Sequence, residues 1–214
     1  MRPDLTRATW LNEPAVHAVT DSEVRITTDP GTDFWQRTYY GFRNTNAHAL
    51  LWDEAENTTL TVRVRFDYRS LFDQCGVAVY LSDNCWFKAS IEYHDASFSR
   101  LGSVVTNHGY SDWATVDIPS CNQIWYRLSR RGPDFLIESS FTGTDFTQMR
   151  IFHLAALGDT TAEMGRKDPP QRPVASAPIG FYACSPLDSS FTAVFDHFTL
   201  EPNRWASHHV SPSA

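Results

Sequence analysis

Apolar and polar residues alternate with a period of two along most of the chain, and helical spacing is scarce. TLTVRVRF (59–66) sets Leu60, Val62, Val64 and Phe66 on one side, with Thr61, Arg63 and Arg65 on the other. QCGVAVYL (74–81) buries Cys75, Val77, Val79 and Leu81, and turns Gln74, Gly76, Ala78 and Tyr80 the opposite way. WFKASIEYH (86–94) buries Phe87, Ala89, Ile91 and Tyr93. Further strands are predicted at 23–28, 101–107, 124–130, 134–141, 149–154, 179–185 and 191–200. Turn residues separate them at Ser82-Asp83-Asn84, Asn107-His108-Gly109, Arg131-Gly132-Pro133 and Thr142-Gly143-Thr144. About ten short strands without long helices predict an all-β fold, a two-sheet antiparallel jelly-roll sandwich. One domain is expected over 1–202. Within it, the Pro-rich stretch 157–178 reads as a loop or lid, and 203–214 as a polar tail that frays.

The second strand of the segment DQCGVAVYLSDNCWFKASIEYHD (73–95) puts Trp86, Lys88, Ser90, Glu92 and His94 on one face. A solvated face suits Lys and Glu but not Trp. A core suits Trp but not an unpaired charge. A cleft accommodates all of them. Lys88 and Glu92 are four residues apart, about 13 Å along the strand, so each is expected to meet a partner from a neighbouring strand. Gln74 and Tyr80 join the site from the preceding strand. Trp125 and Arg127 join from IWYRLSR, if Ile124, Tyr126 and Leu128 face the core, and Glu138 from DFLIESSF. Together they would form a polar floor with aromatic walls, the usual form of a small-molecule site. Glu92 is the candidate general acid or base, with Lys88 or Arg127 as its electrostatic partner. A structural ion-pair network across the sheet would give the same alternating charges. Gly76 either admits a ligand close to the backbone or makes room for Trp86. His108, Tyr110 and Trp113 are assigned to a loop that could form a rim.

The formal net charge of −7, without a Lys/Arg cluster, argues against nucleic acid and anionic membranes as partners. No apolar run approaches the ~20 residues of a spanning helix. The opening MRPDLTRATWLNEP has no apolar signal core, so a cytoplasmic location is expected, with Cys75, Cys85, Cys121 and Cys184 as free thiols. Cys75 and Cys85 flank a turn and could face each other. The cysteines form no CxxC, and His48, His94, His108 and His153 have no metal-ligand spacing, so neither metal nor cofactor is expected. No GxSxG and no phosphate-binding glycine loop occurs.

Several strings go beyond generic patterning: TDFWQRTYYGF (32–42), FDQCGVAVYLSDNCWFKASIEY (72–93), LGSVVTNHGYSDWA (101–114) and IGFYACSPLDSSFTAVFDHF (179–198). In this order they are similar to the regulation-of-enolase-protein-like family, a domain-of-unknown-function family in the concanavalin A-like lectin/glucanase superfamily. The resemblance implies a curved jelly roll whose concave sheet carries a ligand groove. Hydrolases of that superfamily carry paired carboxylates on one strand. Here the corresponding stretch, Lys88 to Asp95, offers one inward carboxylate and a Lys, whereas a retaining pair needs carboxyls ~5–5.5 Å apart. Three functions follow as expectations: binding of a polar or aromatic small molecule such as a carbohydrate; metal-independent catalysis by Glu92 (isomerase, lyase, cyclase or hydrolase); or regulatory docking on a metabolic enzyme as a protein partner.

Overall fold

A computed structural model describes residues 1–55, 57–165 and 176–205. The strands are, in chain order, β1 (Thr9–Leu11), β2 (Val16–Val19), β3 (Glu23–Thr27), β4 (Phe34–Gln36) and β5 (Arg43–Thr45). There follow β6 (His48–Glu54), β7 (Thr58–Phe66), β8 (Gln74–Ser82), β9 (Cys85–Tyr93), β10 (Phe98–Asn107) and β11 (Tyr110–Pro119). The last are β12 (Gln123–Arg131), β13 (Asp134–Ser140), β14 (Thr147–His153), β15 (Ala177–Cys184) and β16 (Thr192–Pro202). Helix among the described residues is limited to short turns, the α-helical one being Ala162–Gly165.

The first sheet has the order β1-β6-β15-β8-β9-β10-β11 and the second β14-β13-β12-β7-β16-β3-β2. Each draws strands from both ends of the chain, and the two form the sandwich that the alternation predicts. Inward residues of both meet in one core. Val77, Val79, Phe87, Ala89 and Ile91 come from the first sheet; Val62, Val64, Ile124, Tyr126 and Leu128 come from the second. The strands of the 74–94 hairpin lie within a residue or two of their predicted limits.

β11 was not predicted: His108 and Gly109, both in the left-handed region, close a two-residue hairpin, and the strand runs on from Tyr110. Residues 110–113 therefore belong to a strand rather than a loop. It is an edge strand, mostly exposed, so no buried alternation marks it.

A second apolar cluster sits on the outer face of the first sheet, away from the sandwich core. Phe34 and Trp35 of the β4–β5 hairpin pack there on Ala78, Tyr80, Trp86, Val104 and Tyr182. The hairpin is pinned by the Gln36 N–H, which donates to Ser111 Oγ at 2.9 Å, and by Arg37 Nη1, which donates to the Gly109 carbonyl at 3.2 Å. β8 and β9 are consequently buried on both faces over most of their length. Gly76 accommodates neither a ligand nor Trp86. It stands opposite Ser90, and a Cβ there would fall 1.9 Å from the Ala89 carbonyl oxygen.

All four thiols are free. Cys75 lies opposite Ile91 and Cys85 opposite Ser82, at opposite ends of the hairpin, so the two do not face each other. No described helix is long and apolar enough to cross a membrane. The described start of the tail is tied down: Asn203 Nδ2 donates to the Arg130 carbonyl at 2.8 Å and Arg131 Nη1 to the Trp205 carbonyl at 3.0 Å. Residues 206–214 lie outside the described residues.

Candidate functional site

Where the hairpin stops covering the first sheet, a hollow of about 450 Å³ opens. Its floor comes from alternate residues of adjacent strands: Gln74 on β8, Lys88, Ser90 and Glu92 on β9, and Arg100 and Gly102 on β10. The register aligns Glu92 with Gln74 on one side and with Arg100 on the other, and Ser90 with Gly76 and Gly102. The walls are Trp35, Tyr40 and Phe42 of the hairpin, Trp113 of β11, and Phe72 with Pro186 and Leu187. Tyr40 and Phe42 stack at 5.2 Å between ring centroids, and Trp35 meets Trp113 edge-on at 6.5 Å. Tyr40, Phe42 and Trp113 remain 55%, 45% and 39% exposed, a large apolar surface for side chains that could have been buried.

Lys88, only 4% exposed, reaches Asp33 with Nζ–Oδ1 at 3.0 Å and lies 5.8 Å from the Tyr182 ring centroid. Its partner thus comes from the segment before β4 and not from a neighbouring strand. Asp33 is oriented by the Phe34 N–H, which donates to its Oδ1 at 2.7 Å, while its own N–H donates to Asn46 Oδ1 at 3.0 Å. Burial acts most strongly and lowers the Lys88 ammonium, but the charge and hydrogen bond of Asp33, with Cys184 and Glu92, together outweigh it and the ammonium is raised. Glu92 accepts from Gln74 Nε2 at 3.3 Å. The Gln74 carbonyl oxygen in turn accepts from Tyr182 Oη at 3.2 Å. Burial pushes the Glu92 carboxyl up to about 7; Lys88 and Arg100 pull it down, and Asp33 pushes it further up. The hollow therefore holds two carboxylates, where the strand alone offered one. They differ in environment, Asp33 being closely paired with an ammonium and Glu92 not. Among the described residues no group of His, Cys, Asp and Glu could hold a metal ion.

Of the predicted site residues, the structure brings Gln74, Lys88 and Glu92 together. Trp86 is on their face but fully buried beneath Phe34, with ring centroids 5.8 Å apart. Tyr80 is covered by the same ring, and its hydroxyl donates to Asp83 at 2.7 Å. Both are packing residues beside the hollow. His94 lies past the end of β9, with its ring against Phe98 at 4.2 Å.

Trp125, Arg127 and Glu138 are corrected outright, because they stand on the outer face of the second sheet. Ile124, Tyr126 and Leu128 do face the core, so their alternates point away from it and away from the first sheet. Arg127 and Glu138 form a bidentate pair, both contacts 2.7 Å, and Trp125 lies 5.8 Å from the Arg63 guanidinium. Of the predicted lid at 157–178, only the two ends are described. Residues 157–165 and 176–178 contribute nothing to the hollow's wall, and 166–175 lie outside the described residues.

Asp33, Trp35, Tyr40, Phe42 and Arg100 were missed. The string 33–42, DFWQRTYYGF, stands out by its aromatic density in a stretch without alternation.

Residues 10–203 match the family described as "Protein of unknown function (DUF1349)". Regulation of enolase protein 1 of Saccharomyces cerevisiae is 39% identical over 127 residues, which cover 59% of this chain and 63% of that relative. The alignment thus spans less than two thirds of the relative's length. A solved structure of a functionally unknown protein from Saccharomyces cerevisiae superposes with a TM-score of 0.79 at 29% identity, covering 94% of this chain and 98% of the other. A xylan beta-1,4-xylosidase from Bacillus halodurans C-125 is similar with a TM-score of 0.60 at 11% identity over 84% of this chain and 32% of the enzyme. That last likeness concerns the fold alone.

Proposed function

The chain belongs to the DUF1349 family, and from that premise we propose that it binds a carbohydrate in the hollow on the outer face of its first sheet. The observation that carries this reading is a floor of Gln74, Lys88, Ser90 and Glu92, with Asp33, set below the exposed rings of Tyr40, Phe42 and Trp113. A sugar ring has apolar faces and a hydroxyl rim. It can lie against indole or phenyl faces while its hydroxyls donate to carboxylates and accept from amide, ammonium and hydroxyl groups. The volume suits a small ligand, because binding sites generally run from roughly 300 to 1,000 Å³.

The test is calorimetry on the whole chain against a panel of neutral and acidic mono- and disaccharides. Binding should weaken about tenfold in Trp113→Ala, as expected for the loss of one stacked aromatic contact. If no sugar in the panel binds the folded wild-type protein, the reading is wrong.

The position of Glu92 supports a second reading, catalysis. A carboxyl held near 7 exists in both protonation states at neutral pH and can act as general acid or base. Turnover of a bound sugar that survives unchanged in Glu92→Gln would remove it from any such role. The name of the Saccharomyces cerevisiae relative supports a separate regulatory reading, docking on a metabolic enzyme. Affinity capture with purified enolase tests that directly.

A further inference from the structure

The charges lining the hollow are unequally paired. Lys88 is neutralised by Asp33 at 3.0 Å. Arg100, next to them on β10, stands opposite Glu92 in the register, yet its nearest carboxylate is that of Asp117 on β11, with Nε–Oδ1 at 3.6 Å. The Asp117 side chain is 67% exposed to water. Such a loose surface pair holds little energy. Otherwise the guanidinium lies against aromatic faces, 5.9 Å from the Phe98 centroid and 6.0 Å from that of Trp113. A planar donor fork is thus held beside the cavity with its hydrogen-bonding capacity largely unspent, next to a ring placed to stack on a ligand. Gly102, two residues along the same face, lets the Trp113 indole lie close against the strand; a Cβ there would fall 2.9 Å from the Ala114 carbonyl oxygen and 3.1 Å from Trp113 Nε1.

We propose that the preferred ligand is an acidic sugar, of the uronic acid class, whose carboxylate is held by Arg100 while its ring lies against Trp113. This rests on the carbohydrate reading above. Arg is suited to the task because its fork matches a carboxylate with two parallel hydrogen bonds. The other charged groups around the site do not oppose it. Glu92 faces Lys88 on its own strand, Gln74 on β8, Arg100 on β10 and Asp33 before β4, and below neutral pH it is mostly uncharged. The Cys184 thiol on β15 stays protonated because burial pushes it up. At pH 6 an incoming carboxylate therefore meets a guanidinium only loosely paired with Asp117 and a mostly protonated Glu92 able to donate to a ligand oxygen.

The deciding experiment compares D-glucuronate and D-galacturonate with their methyl esters, by calorimetry at pH 6 on the whole chain. Acid and ester share ring and hydroxyls and differ in the charge and one methyl group. At least one acid should bind about tenfold or more tighter than its ester, the expected yield of a charge-assisted pair. Arg100→Met should bring that ratio toward one, and Arg100→Lys, which keeps the charge without the fork, should leave it in between. Acid and ester binding equally well to the wild-type protein would overturn the inference and leave the carbohydrate reading standing. So would an unchanged ratio in Arg100→Met. Failure of both forms, together with every neutral sugar of the panel, would overturn the two together.

Discussion

Lys88 is a long cation held almost entirely out of water, and its stability depends on one carboxylate. Desolvating an ammonium costs several kcal/mol, which is recovered only if its partner is close and well oriented. Asp33 meets that condition, fixed by the Phe34 N–H and by Asn46. Asp33→Asn should destabilise the protein by roughly 3 kcal/mol, because it leaves a buried charge without its counterion. Adding Lys88→Met to that variant should restore part of the loss; a double-mutant cycle by urea denaturation measures the coupling. Glu92 gives the opposite dependence to an ordinary paired carboxylate. Its folded pKa of about 7 lies above the unfolded value near 4.5. Its contribution is therefore fully present below about pH 4.5 and is lost as pH rises through 7, because the folded state binds the extra proton across that window. The span corresponds to about 3 kcal/mol. Denaturation midpoints of the wild type should fall relative to those of Glu92→Gln between pH 5 and pH 8. Parallel curves would show that the carboxyl is not perturbed.

The β4–β5 hairpin is the element that makes a site out of a sheet face. Without it, Trp86, Tyr80 and Lys88 would lie open on the outer surface. With it, they divide into a packed cluster under Phe34 and a hollow beyond Trp35. Phe34 is buried to 1% exposure, against Tyr80, Trp86 and Tyr182. Phe34→Ala should cost about 3–5 kcal/mol by denaturant titration, the range for a large aromatic removed from a core. A cost below 1 kcal/mol would mean that the hairpin is loosely laid on the sheet. The sequence showed β8 and β9 clearly, because each alternates along its full length. It hid the hairpin, whose short strands of three residues carry no period that a pattern could reveal. Missing that cover, the reading of Trp86 as a cavity wall was right about its face and wrong about its exposure.

The two sheets share one core, and the chain carries four thiols, none of them bonded. Cys75, Cys85 and Cys184 are buried and Cys121 is partly exposed; burial pushes all four thiols up. A thiol reagent at pH 8 should modify at most Cys121 quickly in the native protein and all four after unfolding. Rapid reaction of all four without denaturant would contradict the packing described. The amino-acid sequence by itself determined the fold class, most of the strands, and the face to which each strand residue points, because side-chain alternation is a local property of extended backbone. It therefore placed Gln74, Lys88 and Glu92 side by side. It could not determine which sheet a strand joins, since alternation looks the same in either; Trp125, Arg127 and Glu138 were accordingly read into a site from which the whole sandwich separates them. Tertiary structure alone decided that Asp33, some 55 residues from Lys88 in sequence, supplies its counterion, because that contact arises only when distant segments pack.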